Sequence, residues 1–248
     1  MDRRFLSQTD VIAASRKFVC VRMMTYESAT EAQFLKTLWR PGAELENTLF
    51  AVLDPYGQPL TQGARGPDWM FRDAPQMAAS LNEIASQYQE RVSRQSLPIV
   101  KTIRLGLNVA ACDKRPLALV VSENEQERVA LASKLAPLSW SRDYIGKIVY
   151  SAGARRDLWE IRGASLSSGY LFVSPNEFGT EGTVVAQLAA NASPSDLQRA
   201  MQTAISSYHP MQMEHRDHIR WGREQGVHWE SEIPVSDPHE RQAQHMPF

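Results

Sequence analysis

The chain has 248 residues, 43% of them hydrophobic and 22% charged, which is enough apolar material for a packed core and too much for a disordered polymer. Its net charge is -1, from 27 Lys and Arg against 28 Asp and Glu, and this balance argues against nucleic acid or an anionic lipid surface as the main partner. No apolar run approaches the roughly 18 residues of a membrane span. No apolar segment of the signal-peptide kind follows Met1-Asp2-Arg3-Arg4-Phe5. As written the chain reads as cytoplasmic; loss of an upstream segment would make it periplasmic or secreted.

In chain order, residues 6–15 read as a helix, residues 17–23 as a nearly continuous apolar strand, and residues 30–39 as a second helix. Residues 48–53 read as a strand ending in the turn Asp54-Pro55-Tyr56-Gly57, with residues 58–61 returning as the other arm of a hairpin. After a loop over 63–72, Asp73 caps a helix that carries Pro75 in its first turn. Residues 99–110 place Ile103, Leu105, Leu107 and Val109 in period-two alternation, which predicts a strand. Residues 117–121 form a buried strand, 125–135 a helix, 146–151 a strand and 170–173 another; Ser193 then caps a helix running to Tyr208.

Residues 54–88 recur in chemical outline 120 positions later, at 174–208. Met77, Leu81, Ile84, Ala85 and Tyr88 fall against Leu197, Met201, Ala204, Ile205 and Tyr208. A repeat of this kind predicts two copies of one unit, residues 1–112 and 113–208, followed by a His-rich extension over 209–248.

The order strand, helix, strand, helix, hairpin, helix resembles the thioredoxin-like superfamily. The stretch Phe50-Ala51-Val52-Leu53-Asp54-Pro55-Tyr56-Gly57-Gln58-Pro59-Leu60 is similar to the hairpin of such proteins, and residues 10–21 to their passage from first helix to second strand. The resemblance implies an α/β fold of two tandem units with mixed sheets flanked by helices. It also implies a Cys-x-x-Cys after the first strand, where a helix N-terminus favours a thiolate, and a cis-proline before the hairpin. Here the first position reads Ser122-Glu123-Asn124-Glu125, and the second reads Glu46-Asn47-Thr48 and Ser168-Gly169-Tyr170. The implied function is a redox-inactive binding or scaffolding protein, not a dithiol enzyme, with another protein as partner and no cofactor.

The first copy lacks a counterpart of residues 117–121, so a circular permutation is expected, with residues 100–110 as its central strand. That arrangement would set Cys112 just past the strand end, beside Lys114 and Arg115, as the thiol of a single-cysteine oxidoreductase or redox sensor. Cys20, between Val19 and Val21, reads as core. Arg65, Asp68, Trp69 and Phe71 offer binding chemistry near the first hairpin. In the extension, His215 and His218 share a helix face with Met211, a set that suits copper, or zinc with a carboxylate added. No phosphate-binding glycine loop or Gly-x-Ser-x-Gly element is present.

Overall fold

The computed structural model describes residues 2–21, 23, 28–39, 49–88 and 96–227. The chain divides into two compact units, one within Met1–Arg91 and the other Val92–His228.

In the first unit a π-helical turn, Asp2–Leu6, precedes helix α1 (Thr9–Ser15), followed by α2 (Ala29–Leu38) and α3 (Ala74–Ser86). Ser28 caps α2 by accepting from the Glu31 amide, and Asp73 caps α3 by accepting from the Gln76 amide at 2.9 Å. The core gathers Phe5, Val11, Val52, Phe71, Met77 and Leu81, with Phe50 edge-on to Phe71 at 6.5 Å. The hairpin over residues 50–64 exists as two isolated antiparallel bridges, Phe50 with Ala64 and Leu53 with Pro59, the only strand pairings among the described residues of this unit. Asp54 Oδ1 accepts from the amides of Tyr56 and Gln58, which closes the turn read from the sequence. The strand expected over 17–23 is not formed by its described residues; Val19 and Val21 are 56% and 71% exposed.

The second unit is built on one mixed sheet of six strands. Its elements are β1 (Ile99–Val100), α4 (Ile103–Cys112), β2 (Leu117–Val121), α5 (Glu125–Ser139), β3 (Val149–Gly153), β4 (Ile161–Arg162), β5 (Gly169–Pro175), β6 (Gly182–Ala189), α6 (Pro194–Ser207) and α7 (His215–Glu224). The strand order is β1-β3-β2-β5-β6-β4. β1, β2 and β3 are mutually parallel, β5 runs antiparallel to β2 and β6, and β4 is parallel to β6.

Strand periodicity assigns the two faces. Leu117, Leu119 and Val121 of β2 meet Ile103, Leu107 and Ala110 of α4 on one side, joined there by Leu158 and Ile161. Ala118 and Val120 meet Leu131 and Leu135 of α5 and Leu197, Met201 and Ala204 of α6 on the other. The result is a helix–sheet–helix sandwich with β2 fully buried in its middle.

The central-strand expectation for residues 100–110 is overturned. Only Ile99 and Val100 are extended, and they pair with Tyr150 and Ser151 of the second unit; the remainder is α4. Thr102 caps that helix through the Leu105 amide, and Ile103, Leu107 and Ala110 recur at helical spacing on the buried face. The units therefore part after Arg91 and not after residue 112, because β1 and α4 complete the second sheet. The two helices are alike locally: α3 and α6 both begin one residue after an Asp or Ser cap, carry proline in the first turn, and bury Met77 and Leu81 as they bury Leu197 and Met201.

Candidate functional site

The C-terminal ends of β1, β2 and β3 and the start of β5 converge at one pole of the second sheet, since Val121 pairs with Gly153 on one side and Gly169 on the other. Strand ends of this kind are the usual place for ligands in open α/β sheets. The turn after β2 is tightly built. Buried Ser122 donates to Glu127 Oε2, accepts from the Asn124 amide at 3.0 Å, and offers its carbonyl to Arg128 at 2.6 Å. Asn124 caps α5 through the Glu127 amide at 3.1 Å. The Ser122 hydroxyl, and to a smaller degree that of Ser168, holds the Glu127 carboxyl below its ordinary value, with burial opposing. Ser168 Oγ is itself buried and makes no hydrogen bond within ordinary geometric limits. Glu123 accepts from the Arg155 amide at 3.0 Å, tying this turn to the short helical turn Arg155–Asp157 after β3.

Beside this tie lies a surface cavity of about 290 Å³, between the start of α4 and the connection that follows β3. Lys101, Thr102 and Arg104 form one wall, and Asp157, Trp159 and Glu160 the other. Trp159 is 81% exposed. Next to it the Glu160 side chain is only 4% exposed, with Arg104 Nε 3.5 Å from its Oε1. Arg104 also donates to the Gly179 carbonyl at 2.7 Å, joining α4 to the β5–β6 turn. Burial pushes the Glu160 carboxyl up from its ordinary value; Arg104 opposes this and Glu181 reinforces it. Glu181 is in turn paired with Arg162. Sequence reasoning passed over this cluster. The run Asp157-Leu158-Trp159-Glu160-Ile161-Arg162 reads as an ordinary amphipathic connection, and nothing in it marks Glu160 as buried.

The residues singled out from the sequence are dispersed. Cys112 is the last residue of α4, which returns from the strand-end pole to the start of β2, so the thiol sits at the opposite end of the sheet from Ser122. It is exposed, 3.9 Å from Asn108 Oδ1, at the C-terminus of its helix. Its expected cationic neighbour Arg115 is paired with Asp113 at 3.6 Å. Cys20 is exposed and not core. In the first unit Arg65, Asp68 and Trp69 lie at the surface, Trp69 at 68% exposure, whereas Phe71 belongs to the core.

The extension is partly structured, its residues beyond 227 lying outside the described ones. Helix α7 docks on the β5–β6 turn. The His218 ring stacks on Phe178 at 4.8 Å with Nε2 3.2 Å from the Glu177 carbonyl, and Trp221 meets Phe178 at 4.7 Å. The Met211 amide donates to Glu177 at 2.6 Å, while the His215 side chain lies outside the described atoms. Among the described residues no three His, Cys, Asp or Glu side chains converge as metal ligands. No helix among them is long and apolar enough to cross a membrane. No family model, curated protein or solved structure matches this chain.

Proposed function

We propose that residues 92–228 are a thioredoxin-like unit emptied of its dithiol, acting as a binding or scaffolding module for another protein. The succession β2, α5, β3, then β5 and β6 as a hairpin and α6, in a mixed sheet with helices on both faces, supports this reading, and β1 and α4 stand in front of it. The connection between β3 and β5 departs from it, carrying short turns and β4 where the superfamily has a helix. The first unit would be a partial copy, sharing the hairpin and capped helix.

One observation carries the functional reading. On this resemblance the turn after β2 would perform thiol exchange, yet it reads Ser122-Glu123-Asn124-Glu125, its serine is buried and hydrogen-bonded on three sides, and the stretch where a proline would be expected reads Ser168-Gly169-Tyr170. The single-thiol and metal readings gain nothing comparable, since Cys112 lies at the other pole and His218 is engaged by Phe178 and Glu177. Disulfide turnover by the full chain tests the reading. Insulin reduction by dithiothreitol should proceed no faster with the protein than without it, and Cys112 should alkylate no faster than glutathione. Acceleration that disappears in Cys112→Ser would replace the binding reading with a thiol enzyme.

A further inference from the structure

We propose that the cavity between α4 and the β3–β5 connection binds a small organic cation, a primary ammonium or guanidinium group, with Glu160 as its anchor and the Trp159 indole as its wall. This deepens the binding reading of the same strand-end pole and rests on it.

The Glu160 side chain is 4% exposed, yet its carboxylate makes no hydrogen bond among the described residues; its ion-pair partner is Arg104, at 3.5 Å, while Glu181 repels it. An ionised carboxylate has about four acceptor positions, and leaving them unfilled in a buried place is costly. The arginine cannot easily turn to fill them, because its other arm is held by the Gly179 carbonyl at 2.7 Å. Glu160 lines the cavity, where a ligand could supply the missing donors.

Two neighbours make that capacity selective for a cation. Asp157, which also lines the cavity, spends Oδ2 on the Ala154 amide at 2.8 Å, while its Oδ1 has the exposed Arg156 at 3.9 Å. Trp159, with the highest exposure of any large apolar side chain among the described residues, borders the same space. Indole faces attract ammonium and guanidinium groups, and the attraction grows as both partners lose water. An anion would meet two carboxylates on entry. The guanidinium most able to receive it is already divided between Glu160 and Gly179, leaving Lys101 alone. About 290 Å³ admits the head of such a ligand, whether a free amine or a basic side chain of a peptide.

The test is calorimetric titration of the full chain with cadaverine, with agmatine and with an N-acetylated tetrapeptide carrying one lysine, with acetate and phosphate as opposing probes. Saturable binding of at least one cation is expected. Binding should weaken about tenfold or more in Glu160→Gln and about fivefold in Trp159→Ala. The first substitution is nearly isosteric and the second lies at the surface, so an unchanged circular dichroism spectrum shows that both remain folded. Tighter binding of the free amines than of the peptide assigns the site to a metabolite, and the reverse to a basic protein segment; both uphold the proposal. Absence of saturation by every cation up to about 10 mM overturns it. So does tighter binding of acetate or phosphate, or cation affinities within about twofold of wild type in both variants. Failure here with disulfide turnover still absent removes the cation and leaves the binding reading in place, whereas catalysed turnover removes that reading independently.

Discussion

Gly179→Ala is expected to cost the second unit about 3 kcal/mol, the sum of two separable terms. Gly179 sits at φ +62° in the β5–β6 turn, in the left-handed region where an L side chain costs about 1–2 kcal/mol. A Cβ there would stand 2.6 Å from Asn108 Cα and 2.8 Å from the Leu107 carbonyl, both backbone atoms of α4 that cannot rotate away. Relieving such overpacking costs about 1–3 kcal/mol. The displacement would also disturb the carbonyl that holds Arg104 at 2.7 Å. Gly146 supplies the internal control. It lies at φ +70°, but a Cβ there meets nothing within 4 Å, so Gly146→Ala reports the left-handed cost alone. Urea titration of both variants, followed by far-ultraviolet circular dichroism, should place Gly179→Ala below Gly146→Ala by about 1–3 kcal/mol. Equal midpoints, or Gly179→Ala within about 0.5 kcal/mol of wild type, would refute the close approach of the turn to α4.

Leu107→Ala removes a fully buried side chain between α4 and the sheet and should lower unfolding free energy by about 2–5 kcal/mol in the same titration. Phe178→Ala should release α7, seen as faster amide exchange over residues 215–224 while β2 keeps its protection, because His218 and Trp221 both lean on that ring. Stability should depend on pH with two opposite arms. The Asp73, Asp196 and Glu127 carboxyls are held below their ordinary values, by the Gln76 amide, the Ser193 hydroxyl and the Ser122 hydroxyl first. Their contribution is present above the unfolded values of 3.8 for the aspartates and 4.5 for the glutamate, and is lost as pH falls through the lower folded ones. Glu160 has the reverse sign: its folded value is raised above 4.5, so stability declines as pH rises through it. Urea midpoints across the acid-to-neutral range should show both arms in wild type, and Glu160→Gln should abolish only the second.

Local signals were legible where the residue type itself does the physical work. The caps at Asp73 and Ser193, the turn at Asp54, and the wholly apolar β2 stand where their chemistry places them. The misreading of residues 100–110 has a definite cause. Ile103, Leu105, Leu107 and Val109 alternate as in a strand, but Ile103, Gly106, Leu107 and Ala110 satisfy the helical period equally well. Thr102 as a cap was the deciding signal. Gly106 fits the same helix, since a Cβ there would lie 3.0 Å from Ser151 and 3.2 Å from Leu117, so the missing side chain lets α4 approach the sheet. Residues 17–23 failed for another reason: an apolar run becomes a strand only with a partner, and the described residues of the first unit provide no ladder.

The candidate site was less legible than the fold because its properties arise from distance along the chain. Arg104 reaches Gly179, 75 positions away, and Glu160 becomes buried only when β4 joins β6 beneath it. No spacing rule connects such residues. Cys112 illustrates the converse, a residue of reactive type that the fold sets at the end of α4, at the opposite end of the sheet from Ser122.

Restoring the dithiol tests the central claim most directly. In the double variant Ser122→Cys, Glu125→Cys, the new pair would flank the start of α5 at the strand-end pole. With its circular dichroism unchanged, that variant should close an internal disulfide and accelerate insulin reduction where the wild-type chain does not. Two thiols that stay reduced in a glutathione redox buffer, with no acceleration, would contradict the reading of this pole as a thioredoxin-like site from which the chemistry has been removed.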